Sequence, residues 1–346
     1  MQRFFTRGKP KGRSQCDATS LEARDSCDAG DEGKEDDEDD GVIFYDCVST
    51  PRHLVPPKRQ FPLTLAKNHH FVSLEDFARW KKTNPERLHN TYSEPPACQF
   101  QVRGPEYLKQ GGKNQKHLKI ASQESAYEVI GVNMFRCPRR FENVSVEVQP
   151  LRKFFERHKQ PAADEMFPKY IVINWIVAPL FGKENHVCSH VFQLKEHAVV
   201  GKPHLRSAFE KFRLASDSEK SSQFKWMGKI IEGPRTLMAT TTALGAERPV
   251  LICNQLATTY LVRDNYLEIT NDVSSSRIAA ANCGAILRNL GAVVVDMAWL
   301  LEGQRTQDLP ENILCSIRWV WNTMDDLVIP LDEHGELLAK ENKVGG

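Results

Sequence analysis

A chain of 346 residues with 46 basic residues, 45 acidic residues and 40% hydrophobic content has the composition of an ordinary globular protein of one large or two small domains. Its formal net charge of +1 excludes a protein that binds nucleic acid by bulk electrostatic attraction. Its nine cysteines include no C-x-x-C pair, which excludes a disulfide framework or a zinc ribbon and favours reduced thiols and a cytoplasmic location.

Charge blocks and prolines separate the first 96 residues from the rest of the chain. Residues 31–40 contain eight acidic residues and one lysine, and such blocks repel themselves and stay solvated. We therefore expect residues 1–41 to be a disordered tail, whose basic start is either a plain tail or a contact for an anionic membrane. Repeated prolines predict a linker at 42–96 that wraps a domain at 97–330. A second disordered tail is predicted at 331–346.

From Phe100 onwards the sequence has the texture of β-strands. Residues 170–178 are nearly continuous in β-branched and aromatic side chains, which favours a buried strand. Residues 256–270 are typical of a β-hairpin with its turn at 263–265, and 237–243 is a further candidate strand.

The pattern then changes to a helical period. Three serines at 274–276 offer N-caps, and the apolar residues Ile286, Leu290, Val293 and Met297 share one helical face, which predicts a helix over 277–302. Charged residues within this stretch make a membrane span unfavourable. Strands followed by one long helix predict the α+β class, with an antiparallel sheet wrapped on a long C-terminal helix as in helix-grip, START-like folds.

Catalytic signatures are mostly absent. The sequence has no G-x-S-x-G, P-loop, G-x-G-x-x-G or H-E-x-x-H motif, so we expect a protein that is not an enzyme and has no cofactor. His186, Cys188 and His190 alternate along one predicted strand, a spacing that suits metal ligands. A polar strand edge with an incidental cysteine explains the same pattern, and without a second cluster we predict no metal site.

Arg103 is the candidate binding residue. It is followed by Gly-Pro, which predicts a turn with a cation held beside it. Such a guanidinium suits a phosphate or a lipid headgroup. It equally suits an ion pair with Asp296 or another buried acid, in which case it serves only the fold.

A set of apolar side chains on the predicted strands and helix either fills the core or lines an elongated lipid pocket. Small residues such as Gly228, Ala239 and Ala257 would leave room for a ligand, whereas large ones would fill the space. The pocket-lining candidates are Trp226, Ile230, Met238, Tyr260, Leu267 and Met297.

Residues 100–330 contain motifs that resemble the C-terminal domain of the plant enhanced disease resistance proteins. The resemblance is carried by FQVRGPEYL at 100–108, IIEGP at 230–234, the RDNYLEI block with the D-x-SSS that follows it, GAVVVDMAWLLEG, and LPENILCSIR at 309–318. The resemblance implies a domain that follows a phosphoinositide-binding and a lipid-binding module in longer members. The first 99 residues here are too short for either, so this chain resembles a domain-alone member and headgroup recognition by those modules is not carried over.

Two functions follow as expectations. The first is a non-enzymatic intracellular module that binds or senses lipid at membrane surfaces, with Arg103 as the headgroup cation. The second is a regulatory protein-interaction module with a filled core and no ligand. No nucleic-acid partner is expected, and a protein partner is left open.

Overall fold

Thirteen strands form three sheets in the part of the chain that the computed structural model describes, which comprises residues 90–109, 118–177, 184–243 and 248–338 and short pieces at 66–67, 79 and 82–83. The strands are β1 Ala66–Lys67, β2 Thr91–Ser93, β3 Gln101–Arg103, β4 Lys119–Ala121, β5 Tyr127–Cys137, β6 Tyr170–Val177, β7 Asn185–Leu194, β8 Phe224–Glu232, β9 Ala257–Val262, β10 Tyr266–Asp272, β11 Val294–Leu301, β12 Ile313–Val320 and β13 Val328–Pro330.

Antiparallel pairing dominates the sheets. The five-stranded sheet has the order β1-β2-β12-β11-β8, the six-stranded sheet has the order β13-β5-β7-β6-β10-β9, and β3 and β4 form a separate hairpin. Parallel pairs occur between β1 and β2, β6 and β10, and β5 and β13. The mixed α+β class with antiparallel sheets is confirmed.

Short helices lie between the strands and pack on the sheets. The α-helices of the described residues are α1 Val144–Glu147, α2 Gln149–Arg157, α3 Glu196–Val199, α4 Pro203–Leu214, α5 Asp217–Ser221, α6 Arg235–Ala243, α7 Arg277–Arg288 and α8 Met324–Leu327. Residues 237–243, predicted as a strand, therefore belong to a helix. None of the described helices is long and apolar enough to cross a bilayer.

The largest hydrophobic cluster joins the two large sheets. It draws buried side chains from strands of both sheets and from α4. The ring of Trp299 on β11 lies 5.7 Å from His190 and 5.6 Å from Phe192, both on β7 of the other sheet. The indole nitrogen of Trp319 on β12 also donates to Nε2 of His190, at 3.1 Å. The two sheets therefore pack face to face, as in a sandwich.

Further apolar clusters cover the outer faces of both sheets. Helix α2 packs on the six-stranded sheet through Leu151, Phe154 and Phe155. Phe100 and Val102 pack on the five-stranded sheet. Because β11 and β12 are covered on both faces, nearly all of their residues are buried.

A buried carboxylate on β10 anchors α1. Glu268 is 1% exposed and accepts hydrogen bonds from the backbone nitrogens of Val144 at 2.8 Å and Ser145 at 2.9 Å, and from the amide of Asn174 at 3.0 Å. Burial raises the pKa of Glu268, and the hydrogen bonds from Ser145, Thr270 and Val144 oppose that rise. The RDNYLEI block thus supplies a structural contact.

The predicted helix over 277–302 is wrong beyond its first half. Helix α7 ends at Arg288, and Val294–Leu301 is the β11 strand. Three consecutive valines at 293–295 favour a strand, and a short run that is apolar except for Asp296 has no period that separates a strand from a helix. Within the described residues there is accordingly no long C-terminal helix for a sheet to wrap, so the helix-grip arrangement is also corrected.

Two segments that the sequence analysis assigned outside the domain contact its sheets. Thr91–Ser93, placed in the linker, pairs with β12 in the five-stranded sheet, and Tyr92 is 1% exposed. At the other end, Leu331 is 2% exposed and its nitrogen donates to the carbonyl of Arg136. The predicted tail at 1–41, and residues 339–346 of the second tail, lie outside the described residues.

Candidate binding surface on the β3–β4 hairpin

The β3–β4 hairpin depends on a glycine next to Arg103. The nitrogen of Gly104 donates to the carbonyl of Leu118 at 2.9 Å. A Cβ at Gly104 would lie 2.6 Å from that oxygen, so no other residue fits without moving the backbone. This close approach explains why a glycine follows Arg103, and it fixes the backbone position from which the Arg103 side chain extends.

The Arg103 guanidinium lies at the margin of the folded domain, and its side chain is 21% exposed. Its Nη1 is 3.0 Å from Oε1 of Glu302 and donates to the carbonyl of Gly303 at 3.0 Å. Its Nε is 3.7 Å from Oε1 of Glu311, and its Cζ lies 4.8 Å above the Tyr107 ring. Arg103 therefore has structural ion pairs together with an edge that faces solvent.

Glu311 is the buried centre of this surface, with a side chain that is 1% exposed. It accepts hydrogen bonds from Nζ of Lys225 at 2.7 Å, the nitrogen of Gly303 at 3.0 Å and the nitrogen of Arg103 at 3.1 Å. Lys225 is also 3.4 Å from Glu302. Such a buried carboxylate is stable only because its lone pairs are filled.

Asp296, the sequence candidate for an Arg103 partner, pairs elsewhere. Arg318 lies directly opposite Asp296 in the sheet and forms a bidentate ion pair with it. Nε of Arg318 donates to Oδ1 of Asp296 at 2.6 Å, and Nη2 donates to Oδ2 at 2.7 Å. Gln99 donates to the same carboxylate at 2.7 Å. The acids that Arg103 contacts are instead the buried Glu311 and the partly exposed Glu302.

Positive charge is in excess around Glu311. Lys119 lies directly opposite Arg103 in the hairpin, and like charges in this position repel. Burial lowers the pKa of Lys119; Glu311 opposes this, while the charges of Lys225, Arg103 and Arg248 lower the pKa further. The basic cluster is defined here as Arg103, Lys119, Lys225 and Arg248. Among the described residues, Arg103 and Lys225 pair with the two carboxylates of this surface, Glu302 and Glu311, and Lys119 and Arg248 add two further positive charges nearby.

Apolar side chains are exposed on the same hairpin. Leu108, which follows β3, and Ile120 on β4 are each 38% exposed. The combination of surplus cations and exposed aliphatic groups is typical of surfaces that meet anionic lipid.

The six predicted pocket-lining residues all belong to the large inter-sheet cluster or pack against it. Small residues do not leave the expected room. A Cβ at Gly228 would lie 2.3 Å from Cζ2 of Trp226, so the Trp226 ring occupies that space. Ala239 and Ala257 are exposed and therefore do not border the core.

The His186, Cys188 and His190 pattern contains a core histidine. Nδ1 of His190 lies 3.2 Å from the carbonyl of Ile173, and its Nε2 accepts from Trp319, which fixes a neutral ring. Burial lowers the pKa of His190 to about 4. Among the described residues, no group of three or more His, Cys, Asp or Glu side chains is placed to hold a metal ion.

Sequence reasoning found Arg103 but missed the rest of the basic cluster. Lys119, Lys225 and Arg248 are far apart in the chain, and no motif connects them. Only the hairpin register, which places Lys119 opposite Arg103, could have indicated part of the cluster.

A family model described as "Protein ENHANCED DISEASE RESISTANCE 2, C-terminal" matches residues 92–322, which include nearly all of both large sheets. A protein from Arabidopsis thaliana named "Protein ENHANCED DISEASE RESISTANCE 2-like" is 22% identical over 245 residues. The match covers 71% of this chain and 30% of that relative. No solved structure matches significantly. Because the family model spans more than half of the sequence, the chain belongs to the family of the C-terminal domain of Protein ENHANCED DISEASE RESISTANCE 2.

Proposed function

We propose that this domain is a non-enzymatic lipid-binding module that attaches to cytoplasmic membrane surfaces through the β3–β4 hairpin. The basic cluster receives the phosphate of an anionic headgroup, and Leu108 contacts the edge of the acyl region. The observation that carries the proposal is the excess of cations over carboxylates among the described residues around Glu311, together with the exposed side chain of Leu108.

The arrangement suits a phosphate for two reasons. An added anion relieves the repulsion between Arg103 and Lys119, which lie opposite each other. Arg103 already has its backbone fixed by Gly104, so binding orders few new groups. Each Lys or Arg close to an anionic leaflet contributes about 1 kcal/mol, so attachment through this surface is reversible.

The lipid tail stays in the bilayer under this proposal. The Trp226 ring fills the space above Gly228, and the predicted pocket residues belong to the packed core. This proposal differs from the elongated lipid pocket that the sequence suggested, because the protein recognises the lipid by its headgroup alone.

Vesicle co-sedimentation tests the proposal. The variant Lys119→Gln/Arg248→Gln removes two cluster cations, and its matched control, Lys153→Gln/Lys159→Gln, removes two exposed lysines of another surface. At about 1 kcal/mol per charge, the cluster variant should bind vesicles containing phosphatidylserine roughly 30-fold more weakly. The control should bind like the unmodified protein. Equal weakening in both variants would overturn the role of the cluster.

A regulatory protein-interaction module with a filled core is the second candidate, and the packing of Trp226 on Gly228 favours it. The same experiment separates the two functions. Absence of binding to any vesicle, together with no lipid in native mass spectra of protein purified from cells, favours the interaction module.

A further inference from the structure

A cleft of about 170 Å³ lies between helices α4 and α5, the tip of the β9–β10 hairpin and residues 161–168. It contains no residue of the basic cluster. Its volume is close to that of an engineered protein cavity of about 150 Å³ that binds benzene. A ligand of matching size has one ring, or a short branched chain, and one functional group.

The inner wall of the cleft is aromatic. Phe167, Phe209 and Phe212 line it, and each is no more than 2% exposed. The ring centroids of Phe167 and Phe209 are 4.9 Å apart, and those of Phe209 and Phe212 are 6.3 Å apart. This wall favours an apolar, and especially a flat, ligand body.

The most buried charged group of the cleft is an ammonium. The Lys220 side chain is 8% exposed, and its Nζ donates to the carbonyl of Ala215 at 2.6 Å. Its Nζ also lies 5.8 Å from the centroid of the Tyr260 ring and 3.6 Å from Asp217, and because Asp217 is 67% exposed, water weakens that attraction. Because an ammonium has three donors, Lys220 has the capacity for an anionic ligand.

The other charged groups of the lining lie at the rim and comprise three carboxylates, Asp164, Glu165 and Asp264, and two guanidinium groups, Arg213 and Arg263. Asp164 is held by Arg206, and Arg213 donates to the carbonyl of Glu165 at 2.7 Å. Two further rim residues, both exposed, come from the hairpin tip: Arg263 and Asp264. Lys220 is the most buried of the charged groups that line the cleft, so we expect the cleft to prefer an anionic ligand.

We propose that this cleft binds a small organic acid with a single ring or a short branched body. The apolar body lies against the three phenylalanines and the carboxylate pairs with Lys220. The site is separate from the membrane surface proposed above and does not depend on it.

Ligand-observed NMR on the full chain tests the proposal, with benzoate as the probe and benzyl alcohol as a neutral compound of similar shape. Benzoate should bind saturably and at least tenfold more tightly than benzyl alcohol. Lack of saturable benzoate binding up to about 10 mM would overturn the site, since affinities of small rigid ligands are normally stronger than this.

Two variants locate the binding. Lys220→Met keeps the length of the side chain and should weaken benzoate binding at least tenfold while leaving benzyl alcohol unchanged. Ala162→Leu, at a buried lining position, should fill the cleft and abolish binding of both compounds. Lys153→Met is the control and should bind as the unmodified protein does. Circular dichroism verifies the fold of each variant.

Unchanged benzoate binding in folded Lys220→Met would refute the proposal, as would a benzoate affinity no better than that of benzyl alcohol in the unmodified protein. The second comparison needs no variant and holds even if a substitution prevents folding. The variant Lys119→Gln/Arg248→Gln should bind benzoate normally, which separates this site from vesicle attachment.

Discussion

Two ion networks on the five-stranded sheet are built differently. Asp296 and Arg318 form a matched pair in which both side chains are 0% exposed. Around Glu311, the described residues include four cations and two carboxylates, and the Arg103 side chain is 21% exposed. The buried Asp296–Arg318 pair is neutral and cannot bind a further charge, whereas a partly exposed surplus of cations can bind an anion. The first network therefore serves the fold, and the second is suited to a ligand.

Arg318→Met tests the matched pair and should have the largest effect on stability. Removing the guanidinium leaves the Asp296 carboxylate buried without its counter-ion, which should cost about 3–5 kcal/mol. Urea denaturation measures this loss. The double variant Asp296→Leu/Arg318→Met should recover much of it, because no buried charge is left. A loss under about 1 kcal/mol for the single variant would contradict the description of this network.

Glu311→Gln tests the centre of the second network. The amide cannot neutralise Lys225, and hydrogen bonds to a charged group contribute roughly 1.5–3 kcal/mol, so we expect a loss of that order in thermal or urea unfolding. Stability equal to that of the unmodified protein would mean that the surrounding cations do not need this carboxylate.

Arg103→Gln should have a smaller effect on stability, about 1–2 kcal/mol. Its removal leaves Glu311 paired with Lys225 at 2.7 Å, so no carboxylate is left without a cation. The variant should also bind anionic vesicles several-fold more weakly. A stability loss as large as that of Arg318→Met, with vesicle binding intact per folded molecule, would show that Arg103 serves only the fold.

Lys119→Gln should leave stability at neutral pH unchanged or slightly raised, because it removes repulsion with Arg103. The folded-state pKa of Lys119 lies below its usual value of 10.5, so the unfolded chain binds more protons between these two values. Stability of the unmodified protein should therefore rise with pH through that window, and Lys119→Gln should lack this part of the rise. Urea midpoints measured from pH 7 to 10 test the difference; identical pH profiles would contradict it.

The sequence predicted the strands better than the helices because strand signals here are local. The hairpin turn at 263–265 is confirmed, since polar turn residues separate two β-rich runs. The long helix over 277–302 failed because Val294–Leu301 is buried on both faces and has no period. Asp296 lies in that stretch, and its partner, Arg318, is on the next strand, so the helical pattern gives no sign of the pair.

The candidate site was predictable only in part. Arg103 stood out because Gly and Pro beside it signal a fixed turn. The charged residues that surround Arg103 are up to 208 positions away in the chain, as in the contact with Glu311. Composition and spacing carry no information on such contacts. The Trp226 ring occupies the space above Gly228 only in its particular rotamer, which a sequence pattern does not determine.

The most direct test compares Lys119→Gln with Arg318→Met in paired measurements of unfolding and of binding to phosphatidylserine vesicles. We predict that Lys119→Gln keeps its stability and loses about fivefold in vesicle affinity, which corresponds to about 1 kcal/mol. Arg318→Met should lose stability and keep its affinity per folded molecule. Undiminished vesicle binding by Lys119→Gln, or a loss of binding confined to Arg318→Met, would contradict the assignment of the basic cluster as the ligand surface.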